Sequence, residues 1–322
     1  MEFPIELRIM SERLAEGISG SDMADSAREL SRRYMNESGT GKSLLNKEKE
    51  AAVYSLMRMP ATFGAVSFAL EQLCEVSDFV PRSLLDAGAG TGAGSWAATS
   101  LFALEDITCL EREIAMENIG KGFMSEAGDK ALKNAQWIHT DLSGDIGGKY
   151  TSDLVIASYV LNEMSMDERL KTVDKLWENT KQMLLIVEPG TPAGFNNIKA
   201  IRNHMLEKGA HIAAPCPHSE NCHVAENDWC HFTCRIQRGK LHKLVKGADV
   251  PYEDEKFSYI AFCRDACKPM ENRIMRHPII EKGRVRLTLC TRDNGIIEKT
   301  VTKKDGEQYR AAKKASCGET LP

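Results

Sequence analysis

Residues 84–96 read LLDAGAGTGAGSW, an apolar run that ends in an acid and passes into a glycine-rich turn. Asp86 stands two residues before Gly88, and Gly90 and Gly92 follow at the same spacing. Glycines in such a pattern allow a tight turn and let the backbone approach a ligand closely. The stretch therefore predicts a strand, a ligand-binding turn and the start of a helix.

The segments after this turn alternate between strand and helix patterns. The runs DITCLERE, AQWIHTDL, SDLVIASYVL and QMLLIVEPG read as strands, and the amphipathic stretch SMDERLKTVDKLWENT between the last two reads as a helix. Such alternation predicts an α/β fold with a doubly wound, Rossmann-like sheet. We expect this core to span residues 81–195.

Acidic residues stand at the ends of the first three predicted strands. Asp86 precedes the glycines, where it can orient the turn or hold a charged amino-acid group. Glu111 ends the second strand, where a carboxylate can accept both hydroxyls of a ribose. Asp141 follows the third strand, where a carboxylate can accept a hydrogen bond from an adenine amino group. The pattern predicts an S-adenosylmethionine (SAM) site formed by Asp86, Gly88, Gly90, Gly92, Glu111 and Asp141.

Acids at all three positions resemble the class I SAM methyltransferases, whereas dinucleotide dehydrogenases do not usually require the first and third of them. NAD binding and a ligand-free domain are the alternatives, and Glu113 competes with Glu111 for the ribose. The Asn/Asp-Pro-Pro-aromatic tetrapeptide of many amino-group methyltransferases occurs nowhere in the chain. The sequence therefore names no catalytic residue, and Asn162 and Glu163 are candidates for substrate contact or for capping a turn.

Residues 1–80 carry apolar side chains at helical spacing and predict an N-terminal helical domain. The clearest series are Leu7, Met10, Leu14 and Ile18, followed by Met23, Ala27, Leu30 and Tyr34. Pro60 lacks the backbone N–H that a helix interior needs, so we expect it to interrupt or begin a helical segment.

Residues 215–234 read PCPHSENCHVAENDWCHFTC and concentrate four cysteines and three histidines. Prolines and polar runs predict a loop here, and a metal centre is a sufficient reason for such a loop to hold its shape. Cys216, Cys222 and Cys230 are the first candidates, with the nearby histidines as rivals. Unliganded thiols are one alternative, and a Pro-Cys nucleophile at Cys216 is another. We expect a cysteine-rich metal-binding insertion over residues 196–250.

The composition places the chain among folded proteins. Its 322 residues are 42% hydrophobic and 27% charged, with a net charge of −4, which excludes wholesale disorder and a globally basic nucleic-acid coat. The N-terminal sequence predicts neither a secretory signal nor an arginine-rich leader, and no apolar run is long enough to cross a bilayer. We therefore expect a cytoplasmic protein, monomeric when free, with its cysteines in a reducing compartment. The mitochondrial matrix is the alternative for an organellar copy.

Residues 251–322 are expected to supply C-terminal strands that complete the sheet, from FSYIAF and RVRLTL, and a basic tail. From residue 264 onward, 14 Lys and Arg stand against 8 Asp and Glu, an excess that favours phosphate contact. An ordinary solvated surface is the alternative. A second basic run follows the cysteine-rich stretch, at Arg235, Arg238, Lys240, Lys243 and Lys246.

An ordered set of motifs covers most of the chain. They are RMPATFGAV at 58–66, LLDAGAGTGAGSWAA at 84–98, LNEM at 161–164, VEPGTPAGF at 187–195, GAHIAAPCPHSENC at 209–222, WCHF at 229–232, YEDEKFSYIAFCR at 252–264 and RVRLTLCT at 284–291. This set resembles the methyltransferase-like proteins associated with the mitochondrial ribosomal small subunit, with their bacterial and other relatives.

The resemblance implies a SAM-binding fold, binding to ribosomal small-subunit RNA during assembly, and a four-cysteine [4Fe–4S] centre. The ligands implied by position are Cys216, Cys222, Cys230 and Cys290. Tetrahedral zinc suits the same four thiolates, and Cys234, Cys263 and Cys267 are rivals for the fourth place. The activity stays open between an enzyme that methylates small-subunit rRNA and a non-catalytic assembly factor that retains the SAM fold. A SAM-dependent enzyme acting on small molecules is a third option.

Overall fold

The structure, a computed structural model, describes residues 2–14, 16, 18–37, 48–239, 241–243 and 250–321. The chain divides into two compact units. Unit 1 comprises Met1–Leu70, Val80–Val187 and Cys234–Glu255, and unit 2 comprises Glu71–Phe79, Glu188–Thr233 and Lys256–Pro322. The finer division of the chain at residues 80, 195 and 250 stays a prediction.

Helices and strands alternate through the middle of the chain, and strands dominate its last third. The helices are α1 Ile5–Leu14, α2 Gly20–Glu37, α3 Glu48–Val76, α4 Ala93–Thr99, α5 Ile114–Ser125, α6 Lys130–Lys133, α7 Met166–Glu178, α8 Pro192–Glu207 and α9 Glu307–Lys314. The strands are β1 Ser83–Ala87, β2 Asp106–Glu111, β3 Gln136–His139, β4 Ser152–Ser158, β5 Thr180–Pro189, β6 His211–Ala214, β7 Phe232–Gln237, β8 Tyr252–Cys263, β9 Asn272–Ile274, β10 Ile279–Glu281, β11 Arg284–Thr291 and β12 Gly295–Thr302.

The parallel strands of unit 1 lie in the order β3-β2-β1-β4-β5. The chain runs outward from β1 through β2 to β3 and then returns to place β4 on the other side of β1. Ligands of doubly wound sheets bind at this switch in strand order, beyond the carboxyl ends of the strands. The arrangement confirms the predicted α/β fold of the class I SAM-methyltransferase type, and Leu85 and Ile156 are fully buried in its core.

The helices before β1 confirm the predicted helical N-terminal region. Leu7 and Met10 of α1 and Met23 and Ala27 of α2 are buried, as their spacing predicts. The prediction that Pro60 interrupts or begins a segment is wrong, because α3 runs through it. An interior proline costs a helix about 3 kcal/mol, through the lost N–H bond and the clash of its ring with the preceding turn, and apolar burial along α3, at both neighbours of the proline, offsets that cost.

Unit 2 contains a separate sheet with the strand order β10-β11-β12, and β9 pairs with β11. RVRLTL lies in β11 of this sheet, so the prediction that it completes the core sheet is wrong. The reason is local: only three residues separate β11 from β12, and the two strands pair as an antiparallel hairpin. Val285, Leu287 and Leu289 point into a core of their own with Ile274 and Val301. FSYIAF lies in β8, and the C-terminal end of this strand, from Ala261 to Cys263, pairs antiparallel with β6.

The second basic run is partly neutralised within unit 1. Arg235 pairs with Asp254 at 2.8 Å, and Arg238 pairs with Glu253 at 3.3 Å. Lys240 and Lys246 lie outside the described residues, and the phosphate contact predicted for this run stays a prediction. In the part of the chain that the structure describes, no helix has the length and apolar character needed to cross a bilayer.

The glycine turn offers a direct test of the fold. Gly88 has φ +69°, and a Cβ on it would lie 2.5 Å from Cγ2 of Val160. We expect Gly88→Ala to destabilise unit 1 by about 2–5 kcal/mol, since the left-handed backbone costs about 1–2 kcal/mol and overpacking adds about 1–3 kcal/mol. The measurement is the midpoint of urea unfolding.

Gly148 provides the matched control, because it has φ +67° and a Cβ on it would meet no atom within 4 Å among the described residues. Gly148→Ala should therefore show the backbone cost alone. Equal destabilisation by the two alanine variants would contradict a packing role for Gly88 against Val160. A larger loss in Gly88→Ala would measure that packing.

Candidate functional site

The glycine turn is anchored on the end of β2. The N–H groups of Gly88 and Ala89 donate to the Leu110 carbonyl at 2.9 and 3.0 Å. The Gly90 N–H donates to Oε2 of Glu111 at 2.7 Å. These bonds hold the turn between the carboxyl ends of β1 and β2, where the sequence predicts a ligand site.

Asp86 supports the turn from below. It is fully buried, and its Oδ2 accepts hydrogen bonds from the backbone N–H and the hydroxyl of Ser95, both at 2.8 Å. Burial raises the pKa of Asp86 to about 6, and the Ser95 bonds offset part of the rise. Asp86 is not among the described residues that line the cavity, so its geometry fits the predicted role of orienting the turn and the start of α4.

Glu111 is nearly buried, and both of its carboxylate oxygens already accept backbone hydrogen bonds. Besides the bond from Gly90, its Oε1 accepts from the N–H groups of Arg112 and Glu113 at 2.9 and 2.8 Å. Burial raises the pKa of Glu111, and these bonds oppose the rise. A carboxylate has about four acceptor positions, and three are in use, so Glu111 retains capacity for about one ribose hydroxyl rather than for both.

A cavity of about 100 Å³ lies within unit 1 at the ends of β1, β2 and β4. It brings together most of the predicted cofactor residues, which were drawn from separate segments of the sequence. Asp141 reaches it after β3, with Oδ1 held by the Ser143 N–H at 2.8 Å. Its principal lining residues are Gly88, Ala89, Gly90, Glu111, Arg112, Glu113, Asp141, Ser158, Tyr159, Glu163 and, from α3, Tyr54, Met59 and Thr62.

The cavity fits the predicted cofactor in chemistry and position. Backbone N–H groups and glycines line one side of it, where a ligand backbone can approach closely. Carboxylates after β2 and β3 line the cavity and can accept hydrogen bonds, as the sequence predicts for ribose and adenine. Glu111 and Glu113 both line the cavity, so the structure leaves both within reach of the ribose position. Gly92 lies outside the described lining and caps the start of α4.

Glu163 lies on the same cavity, after β4, and faces Arg112. The distance between Arg112 Nη2 and Glu163 Oε2 is 3.0 Å. Burial raises the pKa of Glu163 to about 7, although the Arg112 charge lowers it; the charges of Glu111, Glu113 and Asp141 raise it further. This carboxyl can therefore change its protonation state near neutral pH.

Tyr159 forms a second polar contact at the end of β4 that the sequence did not indicate. Its backbone adopts φ +57°, which is unusual for a tyrosine. Its hydroxyl donates to Oε1 of Glu255 at 3.0 Å, and the same oxygen lies 3.0 Å from Arg58 Nη2. The Arg58 guanidinium also lies 5.3 Å from the Tyr159 ring centroid. Arg58 opens the motif RMPATFGAV, and that motif was the one available signal.

A second cavity, of about 40 Å³, lies within unit 2 and is lined by four cysteines. Residues 215–231, between β6 and β7, form neither helix nor strand, as predicted. This loop supplies three of the thiols, and β11 supplies the fourth. The four are Cys216, Cys222, Cys230 and Cys290.

Burial raises the pKa values of three of these thiols, Cys216, Cys230 and Cys290, and that of Cys290 reaches about 12. A metal ion would have to displace those protons. Four soft donors around one largely apolar cavity fit a thiolate-bound centre in chemistry. Among the described residues, however, no group of three or more His, Cys, Asp or Glu side chains is close enough to hold a single metal ion.

The rival cysteines lie elsewhere. Cys234 belongs to unit 1, with its Sγ 3.1 Å from where a Cβ on Gly64 would stand. Cys263 and Cys267 are joined to each other as a disulfide. None of the three is among the described residues that line the cysteine cavity.

The family of the mitochondrial small ribosomal subunit protein Rsm22 matches residues 48–322. The chain belongs to this family. It is 28% identical over 295 residues to the Homo sapiens ribosome assembly protein METTL17, mitochondrial. That alignment covers 84% of this chain and 62% of METTL17. The chain is 24% identical over 326 residues to the Schizosaccharomyces pombe Rsm22-cox11 tandem protein 2, mitochondrial. That alignment covers 85% of this chain and 43% of the tandem protein. The Rsm22-family chain thus spans less than two thirds of the length of these relatives.

Two solved structures are also similar to the Rsm22-family chain. Magnesium protoporphyrin IX methyltransferase from Synechocystis PCC 6803 with bound SAM has a TM-score of 0.44 at 14% identity, covering 82% of this chain and 99% of that one. A putative RNA methyltransferase from Pyrococcus horikoshii has a TM-score of 0.42 at 16% identity, covering 74% and 95%. Scores of this size carry no information on activity.

The raised pKa of Glu163 predicts a specific pH dependence of stability. Between about pH 4.5 and 7 the folded protein keeps a proton that the unfolded chain releases, so this group's contribution to stability falls as pH rises through that window. Glu163→Gln has no titrating carboxyl at this position. The free energy of unfolding of the variant, relative to that of wild type, should therefore rise by up to about 3 kcal/mol between pH 4.5 and 7.5. Urea unfolding at a series of pH values measures the gain. Parallel profiles for the two proteins would contradict it.

Proposed function

We propose that this Rsm22-family chain binds SAM in unit 1 and a four-cysteine [4Fe–4S] centre in unit 2, and acts on the small ribosomal subunit. The observation that carries the proposal is the unit 1 cavity, which joins the glycine turn to carboxylates after β2 and β3. Each of these groups comes from a different segment. Their meeting at a switch in strand order is typical of nucleotide cofactor sites.

The residues of the unit 1 cavity would each contact a different part of the cofactor. Glu111 would accept from the ribose, with Glu113 as its neighbour, and Asp141 would accept from the adenine amino group. The backbone at Gly88 and Gly90 would lie against the amino-acid portion, with Asp86 fixing the turn. When bound, SAM would supply an electrophilic methyl group, and Tyr159 and Glu163 line the cavity that would hold it.

In unit 2, Cys216, Cys222, Cys230 and Cys290 would hold the metal centre. Their position around a single cavity supports this set over one that includes Cys234, Cys263 or Cys267. Thiolate ligands suit both [4Fe–4S] and zinc, and the family resemblance favours the cluster. Because the loop has no helix or strand, the centre would contribute directly to its folding.

A partner on the small ribosomal subunit is supported by the relatives and by charge. METTL17 is described as a ribosome assembly protein. In unit 2, residues 303–314 expose Lys303, Lys304, Arg310, Lys313 and Lys314 against two acids. An exposed cationic stretch of this kind suits rRNA phosphates. The relatives carry the word mitochondrial in their names, which supports the organellar alternative over the expected cytoplasmic location.

A non-catalytic assembly factor is the second candidate function. At the end of β4, where many methyltransferases place substrate-binding side chains, the polar groups bind one another. The Tyr159 hydroxyl is bound to Glu255, and Glu163 is bound to Arg112. These contacts, together with the absence of the Asn/Asp-Pro-Pro-aromatic tetrapeptide, favour a cavity that serves recognition.

The cofactor proposal predicts a selective loss of affinity. Asp141→Asn removes the charge of the acceptor proposed for the adenine amino group, and we expect SAM binding to weaken about tenfold, since a hydrogen bond to a charged group contributes about 1.5–3 kcal/mol. Asp145→Asn makes the same charge change nearby, at an exposed residue paired with Lys149, and should leave affinity unchanged. Isothermal titration measures both. Equal affinities for the two variants would remove Asp141 from the site.

Label transfer from methyl-labelled SAM to immature small subunits separates the two candidate functions. An enzyme transfers label to rRNA, and Asp141→Asn lowers transfer at subsaturating SAM by about the same factor as its affinity. Particle binding without transfer, at a SAM concentration that saturates the protein, identifies an assembly factor. Failure of wild type to bind SAM at all would overturn the cofactor proposal.

The metal proposal predicts that Cys290→Ser loses iron. Protein purified without oxygen should contain about four iron and four sulfide per chain in wild type and much less in Cys290→Ser, because one thiolate ligand is missing. Cys317→Ser is the control: Cys317 is buried in the same unit, donates to the Met275 carbonyl at 3.2 Å and lies outside the described lining of the cavity. A full cluster in Cys290→Ser would remove that residue from the ligand set.

A further inference from the structure

Two arginines are buried in the wall of the cysteine cavity. Arg202, on α8, and Arg273, on β9, are each 2% exposed and both line it. Arginine is almost never buried without a partner that balances its charge. Their position therefore raises the question of what anion they face.

The partners that hold Arg202 and Arg273 are uncharged. Arg202 Nη2 donates to the carbonyls of His218, at 3.0 Å, and Glu220. Arg273 donates through Nε to the Pro215 carbonyl at 3.2 Å, and through Nη1 to the Gln72 side chain and the Gly318 carbonyl. In the described part of the chain, neither guanidinium forms an ion pair within 4 Å of an Asp or Glu carboxylate, although the charge of Arg273 also acts on Glu75, where it opposes the rise in the carboxyl pKa that burial causes.

One donor of Arg202 is unused. Its Nε is buried and has no hydrogen-bond partner among the described residues. Arg202 lines the same cavity as the thiols of Cys216 and Cys290. The guanidinium thus stands beside thiols of the cavity with a free N–H.

A buried cation that lacks a counter-charge costs several kcal/mol. Four neutral thiols do not offset that cost, but four thiolates do once they bind a metal. Four thiolates on a [4Fe–4S]²⁺ core carry a net charge of −2, and four on Zn²⁺ carry the same. Two buried guanidinium groups supply the matching +2.

We propose that Arg202 is a counter-charge for a dianionic four-thiolate centre and that its free Nε–H donates to a sulfur of that centre. Arg273 supplies the second positive charge. The inference rests on the proposed cysteine centre and adds what sets the centre's charge balance. For an iron–sulfur cluster, hydrogen bonds and charges around the sulfurs set the reduction potential. Arg202 then favours the reduced cluster, because one-electron reduction makes the charge of the centre more negative, from −2 to −3, and a nearby positive charge stabilises it.

The test is the reduction potential of Arg202→Met, measured by electron paramagnetic resonance during a redox titration of cluster-loaded protein. We expect the equilibrium constant for one-electron reduction to fall about tenfold, which is about 59 mV. Arg202→Lys keeps the charge but lacks the Nε–H, so a smaller shift in the same direction is expected. It also provides a second variant if the methionine protein does not fold.

Arg276→Gln is the matched control. Arg276 lies in the same unit and contacts the cysteine-bearing loop at the Trp229 carbonyl. It is 31% exposed, is paired with Asp228 at 2.6 Å and lies outside the described lining of the cavity. The same loss of one positive charge should there shift the equilibrium constant less than twofold. Wild-type potentials in the Arg202 variants, or equal shifts in Arg202→Met and Arg276→Gln, would overturn the role of Arg202.

The metal content of wild type separates failure of this inference from failure of the proposed function. A cluster with an unchanged potential in Arg202→Met removes Arg202 alone. Zinc without sulfide removes the cluster, and the inference is then decided by zinc affinity: it stands if competition with a chelator shows Arg202→Met weakened tenfold and Arg276→Gln unchanged, and it falls if both variants match wild type. Wild type that binds neither metal overturns the centre and its counter-charge together.

Discussion

The glycine turn's attachment to β2 is the constraint on which unit 1 depends. Two N–H groups of the turn bind the Leu110 carbonyl, and a third binds the side chain of Glu111. Because these bonds fix the backbone at the end of β1, α4 can begin at Ala93 and Asp86 can bind Ser95 beneath it. The cavity is the space that this arrangement leaves open. Glu111 therefore contributes to the shape of the site as well as to its acceptor capacity.

The parts of the structure that follow from local pattern were predictable. Parallel strands bring their carboxyl ends to one edge, so the positions of Glu111 and Asp141 in the sequence already indicate that they meet. The alternation of strand and helix patterns in the sequence likewise indicated the parallel-sheet core of unit 1. Helical spacing indicated the burial of Leu7 and Met10 for the same reason, since the period of a helix places such residues on one face.

The parts that failed or were missed depend on partners distant in the chain. RVRLTL has the alternation of a strand, but that pattern does not name the neighbouring strand, and a short connection to β12 decided it. The contact of Tyr159 with Glu255 joins residues 96 positions apart and leaves no local trace. Cys290 entered the site through family resemblance alone, because its spacing from Cys230 matches no short metal motif. The buried Arg202 had no sequence signal, since a charged residue on a helix usually indicates exposure.

The four-thiol cavity also has a consequence for synthesis. Three of its cysteines belong to one loop, whereas Cys290 follows Cys230 by 60 residues and lies in β11. A growing chain therefore contains three of the four thiols, without their proposed fourth partner, well before Cys290 has left the ribosome. Complete lining of the cavity requires β11 to be made and paired. The four-cysteine lining therefore cannot form before β11 has been translated, and a chain interrupted before Cys290 cannot reproduce it.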